Sequence, residues 1–171
     1  MILSAFISAI MCILAPISIP LGFTPVPISL ALLVVFFAAY ILPPFSAAIS
    51  VLIYLFLGMA GLPVFSGYHG GIDRLIGPTG GYLIGYIPAV LISSFFIHRY
   101  KNQRLLHLFG LITAVFSCYL LGSIWFSFQQ GIPFSETLKL CVLPFLPGDF
   151  IKILISFFIG HEISKRMQKE F

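Results

Sequence analysis

The sequence predicts an all-α integral membrane protein of six transmembrane helices, folded as a single domain over residues 1–171. Three observations lead there. Apolar residues make up 60% of the chain and charged residues 8%, with a mean hydropathy of +1.11, a balance that excludes an ordinary soluble domain. The apolar runs are long and lack the polar alternation of spanning strands, so they read as helices. Proline, glycine and basic clusters interrupt them at intervals that leave six runs.

In chain order, the first run, Ile2 to Ile19, has no basic leading segment and no clear small-residue cleavage site, and is read as a retained span. Pro16, Pro20, Pro25 and Pro27 then force an extended or kinked connection, because proline lacks the donor that a continuing helix needs. A second span, Ile28 to Leu42, is broken by Pro43-Pro44, and a third runs from Phe45 to Met59. A fourth, Thr79 to Ile97, is closed by the polar stretch His98 to Arg104, which includes Lys101 and Asn102. The fifth covers Leu105 to Phe128. Gln129 to Leu146, with Glu136 and Lys139, is long enough for a short amphipathic helix lying over the bundle. The last span starts near Gly148 and ends before Lys165, short for a bilayer.

Six spans put both termini on one side. Arg99, Lys101, Arg104, Lys165, Arg166 and Lys169 fall on that side, against Arg74 and Lys139 opposite, so both termini are predicted cytoplasmic. The net charge of +4 is thus explained by topology, and no nucleic-acid partner is expected. The connections after spans one, three and five then face outward and converge over one pocket.

Gly61 to Gly85 is the most unusual of these connections, with six glycines between Gly67 and Gly81. Such backbone can approach a ligand closely, while Phe65, Tyr68 and Tyr82 offer flat apolar faces. Gly77-Pro78-Thr79-Gly80-Gly81-Tyr82 lacks the Lys-Ser or Lys-Thr ending of a phosphate loop, which excludes nucleotide. Gly81 and Gly85 form a small-residue face for helix packing, and Gly80 is expected to line the site. Asp73-Arg74 reads first as a solvated pair and second as a lid contact.

The strongest ionisable signal is Asp149 and Lys152, three residues apart at the start of the last span and so on one helix face. An unpaired charge at mid-membrane costs about 2.5–3.5 kcal/mol on insertion scales, so the pair faces the bundle interior or an outer cavity. A purely structural ion pair is the plainer alternative. Ala5 and Ala9, with Ser4 and Ser8 beside them, give the first span a face another helix can approach. His69, His98, His107 and His161 share no ligand spacing, and Cys12, Cys118 and Cys141 are scattered, so neither metal nor redox chemistry is expected. No nucleophile elbow or zinc motif supports catalysis.

Gly61-Leu62-Pro63-Val64-Phe65, Gly70-Gly71, Gly77 to Tyr82, and Pro144-Phe145-Leu146-Pro147-Gly148-Asp149 with Lys152 together resemble the BioY family, over nearly the whole chain from Pro25 onward. These are the biotin-binding substrate (S) components of energy-coupling factor (ECF) vitamin transporters of the cytoplasmic membrane. One departure is Ala31, where the family commonly carries a glutamine. The resemblance implies an ECF S-component-like bundle in which Asp149 and Lys152 hold the ligand's polar head. Gly71, Thr79, Gly80, Tyr82 and Phe65 would surround the rest, and Arg74 or backbone N–H groups near Gly80 would take the valerate carboxylate. It further implies a transmembrane T component docked on Ala5 and Ala9, two ATP-binding subunits, and no cofactor. Rival expectations are an S component for another vitamin, a small lipid-acting enzyme using Asp149 with Glu136 or His161-Glu162, and a structural assembly subunit.

Overall fold

Proline and glycine placement sets the element boundaries. The structure, a computed structural model, describes residues 1–101 and 103–170, with side chains through Arg166. Asn102 and the side chain of Lys169, both invoked above, lie outside the described residues. Helix α1 (Ile2–Leu14) stops ahead of Pro16, five residues earlier than the expected span. The chain then extends into β1 (Ser18–Ile19), which pairs antiparallel with β2 (Ile28–Ser29), Ser18 opposite Ser29. This small ribbon corrects the strictly all-α expectation and delays α2 to Ala31–Ile41. Helix α3 (Pro44–Met59) opens on a proline, where the missing donor has no intrahelical partner to lose.

Helix α4 (Ile72–Ile76) is a single short turn within the glycine-rich connection, leading into α5 (Gly80–Arg99) and α6 (Arg104–Gln130). Helix α7 (Phe134–Cys141) is the expected amphipathic piece. Helix α8 (Leu146–Glu170) has 25 residues and corrects the expectation of a short last span. It begins before Gly148 and continues through Lys165 and Arg166, because basic residues end an apolar segment without ending a helix.

By length and apolarity, α5 and α6 can each cross a membrane alone, and α7 with α8 can form a third span bent by 58°. Helices α1, α2 and α3 are apolar but shorter. Together they make a multi-pass membrane protein.

Helix α2 is the centre of the bundle, touching α1, α3, α5 and α8, and Val35, Phe36 and Ala39 on it are fully buried. Helices α5 and α6 pack along their length. A Cβ on Gly81 would stand 2.3 Å from Trp125 Cβ, and one on Gly85 3.1 Å from Cys118 Sγ, so the small-residue face seats α6 as expected.

Gly80 has a different role from the expected one. A Cβ there would stand 1.7 Å from the Leu75 carbonyl oxygen, so it lets α4 lie directly on the first turn of α5. Gly80→Ala therefore displaces α4 and costs about 1–3 kcal/mol as overpacking. A lowered thermal midpoint of the purified protein checks this, and an unchanged one contradicts the seating of α4 on α5.

Candidate functional site

Asp149 lies in the first turn of α8, where the helix dipole favours an anion. Lys152, one turn on, places its Nζ 2.7 Å from Asp149 Oδ1. On the neighbouring helix α6, the Tyr119 hydroxyl donates to Asp149 Oδ2 at 2.5 Å. Asp149 is 5% exposed and Lys152 7%. The pair is therefore desolvated, and its mutual attraction offsets part of that cost. It is not saturated: the ammonium retains two further donors and each carboxylate oxygen a further lone pair.

Both side chains line a hollow together with Ser29, Leu32, Cys118, Tyr119 and Phe145. A second hollow lies against it and holds Phe65, Ser66, Arg74, Thr79 and Leu83. Val26, Pro27, Tyr82 and Tyr86 line both, so the two form one elongated site with the acid–base pair toward one end and a guanidinium toward the other. The connections after α1, α3 and α7 converge on it.

Local bonding explains how the walls are held. The Tyr82 hydroxyl donates to the Cys141 carbonyl at 3.2 Å, with Ser123 Oγ at 3.4 Å, which fixes the ring between the two hollows. Phe65 exchanges backbone hydrogen bonds with His69 across a tight turn whose Tyr68 sits at φ 59°. Its ring is buried over Gly58 and edge-on to Tyr54, with centroids 5.6 Å apart. The Thr79 hydroxyl donates to the Arg74 carbonyl at 3.2 Å. Trp125 Nε1 donates to the Gly77 carbonyl at 2.9 Å and Gln129 Nε2 to the Ile76 carbonyl at 2.5 Å, pinning the end of the helix that carries Arg74.

Of the sequence-predicted residues, Asp149, Lys152, Tyr82, Phe65, Thr79 and Arg74 are brought together at this site. Gly71 and Gly80 are not among the lining residues. Gly71, at φ 99°, turns the chain into α4 and donates to the Gly58 carbonyl, a conformation that glycine adopts without strain. The Gly80 N–H is engaged by the Gly77 carbonyl at 3.0 Å. Arg74 lines the site and is half-buried, while its neighbour Asp73 is exposed. Ala5 and Ala9 line neither hollow and lie on the exposed face of α1, with Ser4 and Ser8 turned inward. Ala31 is buried at the start of α2 and its N–H is held by Ser29 Oγ.

Sequence reasoning missed Tyr119, Tyr86, Ser29, Val26 and Pro27. Tyr119 carried a usable signal, since a phenol inside an apolar span needs a polar partner. Among the described residues no cluster of three His, Cys, Asp or Glu could hold a metal ion.

The family model described as the BioY family matches residues 1–169. The chain is 36% identical over 169 residues to the biotin transporter BioY of Lactococcus lactis subsp. cremoris, covering 95% of this chain and 89% of that protein. It is 35% identical over 161 residues to the probable biotin transporter BioY of Pyrococcus horikoshii, covering 94% and 93%. The crystal structure at 2.1 Å of the S-component for biotin from an ECF-type ABC transporter superposes with a TM-score of 0.89 at 35% identity, covering 96% of this chain and 89% of that one. These relatives are transporters rather than enzymes.

Proposed function

Because this chain belongs to the BioY family, we propose that it captures biotin for uptake as the substrate component of an ECF-type transporter. The observation that carries this is the buried Asp149–Lys152 pair, tied by Tyr119 and left with free hydrogen-bonding capacity at one end of an elongated hollow. Biotin's ureido ring offers two N–H donors and one carbonyl acceptor. A carboxylate takes a donor and an ammonium serves the acceptor, so few polar groups stay unpaired on binding. The thioether ring and valeryl chain lie along Tyr82, Tyr86 and Phe65. The valerate carboxylate meets Arg74 at the far end, since a guanidinium presents a fork matched to a carboxylate.

In this assignment α1, α2, α3, α5, α6 and α8 are six spans of one domain in the cytoplasmic membrane. Both termini are cytoplasmic, because Arg99, Lys101, Arg104, Lys165 and Arg166 lie at the end opposite the hollow. Energy comes from a T component docked on the Ala5/Ala9 face and two ATP-binding subunits, and no cofactor is required. Saturable binding of labelled biotin by membranes expressing this chain alone is the expected result. Binding of another vitamin with biotin excluded overturns the assignment.

Arg74→Ala isolates the carboxylate end. Loss of a hydrogen bond to a charged group, about 1.5–3 kcal/mol, corresponds to roughly 10- to 150-fold weaker biotin binding. The amide of biotin, which lacks the charge, loses little. Titration of both ligands against both proteins checks this: the preference for the free acid collapses in the variant, and a preserved preference places the carboxylate elsewhere.

A further inference from the structure

At the end of the bundle opposite the hollow, two rings packed against each other in the interior each carry an unpartnered polar atom. His107, on α6, is 2% exposed, and its Nε2 lies 3.1 Å from the Tyr100 carbonyl. That contact requires the hydrogen on Nε2 and leaves Nδ1 a bare acceptor. Among the described residues Nδ1 has no hydrogen-bond partner. Tyr40, on α2, is also 2% exposed and its hydroxyl is likewise unpartnered. The two rings meet edge to face with centroids 6.0 Å apart, and His161 of α8 stands 5.9 Å beyond His107.

A buried donor and a buried acceptor each left unmade cost about 1–3 kcal/mol, and neither ring atom can turn to its own helix backbone for relief. Ser156 lies between this site and the ligand pair. It is fully buried and unpartnered, one turn beyond Lys152 and one turn before Gly160, whose missing Cβ makes room for the Tyr40 ring. A serine can turn its hydroxyl to the carbonyl four residues back, so Ser156 extends the row without carrying it.

We infer that the interface of α2, α6 and α8 holds internal water that bridges the Tyr40 hydroxyl and His107 Nδ1 and opens toward His161. Water fits the groups: one molecule accepts from Tyr40, donates to His107, and retains a donor for a neighbour, the two to four partners that buried water needs. A cation does not fit. Arg104 and Lys165 stand near His161, and no set of three metal-ligating side chains is present among the described residues.

The test uses the full chain in lipid bilayers, labelled with ¹⁵N and ¹³C at histidine, and water-edited solid-state NMR. Magnetisation from water is expected to reach the His107 ring, with an Nδ1 shift typical of an acceptor in a hydrogen bond. A ring that stays dark to water, with Nδ1 at the free-acceptor position, overturns the inference. Tyr40→Phe keeps the ring and its packing and removes only the donor. Transfer to the His107 ring should fall in this variant, and transfer equal to that of the unaltered chain overturns the bridge.

Discussion

Asp149→Asn weakens biotin binding roughly 10- to 150-fold, the value of about 1.5–3 kcal/mol for a hydrogen bond to a charged group. Asparagine is nearly isosteric and keeps one acceptor, so the hollow retains its shape and the loss reports charge. The same substitution leaves the Lys152 ammonium buried without a counter-charge. Removing one partner of a buried pair costs about 3–5 kcal/mol of folding stability, which a thermal unfolding experiment without ligand measures separately. Unchanged affinity in titration of the purified variant would reduce Asp149–Lys152 to a structural ion pair.

Pairing Asp149→Leu with Lys152→Met separates the two roles further. Buried ion pairs exchanged for apolar residues of similar volume are often neutral or stabilising by about 1–4 kcal/mol. The double variant is therefore expected to fold at least as stably as the single Asp149→Asn variant and to bind no biotin. A structural pair would give the same recovery of stability with binding intact. The ligand account needs the two readouts to move in opposite directions.

The elements legible in the sequence were those that broke an apolar background. Two opposite charges in one helical turn could only face inward, and Asp149 and Lys152 do. The prolines marked the extended connection after the first span, although α1 ends ahead of Pro16 rather than at the expected Ile19, and the six glycines between Gly67 and Gly81 marked the connection that carries Phe65, Arg74 and Thr79. Pairing was not legible: Pro16 to Pro27 implied extended backbone, but two residue pairs give no periodicity to read. Tyrosines were ambiguous for a related reason. Tyr86 and Tyr119 line the hollow whereas Tyr40 and Tyr54 are buried elsewhere, and all four sit in similar apolar runs. Glycine signalled close approach without saying by what. Gly80 admits the Leu75 backbone, a contact set by α4, whose single turn is too short to show a helical period.

Ala5→Trp is expected to abolish co-purification of the chain with a T component and its ATP-binding subunits while leaving biotin affinity unchanged. The expectation rests on which way α1 is turned. Ser4, Ile7, Ser8 and Met11 are buried against the bundle, and Ala5 and Ala9, one turn apart, lie on the exposed face. Small side chains on such a face let a second helix approach closely inside the bilayer, where packing rather than the hydrophobic effect drives association. Ala5 is exposed and neither hollow is lined by α1, so an indole added there leaves folding and the hollow undisturbed but holds a partner helix away along the whole contact. Ala5→Leu, tolerated by lipid equally well, should give an intermediate loss. If the complex survives Ala5→Trp and the equivalent change at Ala9, the partner docks on another face of the bundle. If biotin binding falls with Ala5→Trp in the isolated chain, the exposed face of α1 communicates with the site after all, and the separation of capture from docking fails.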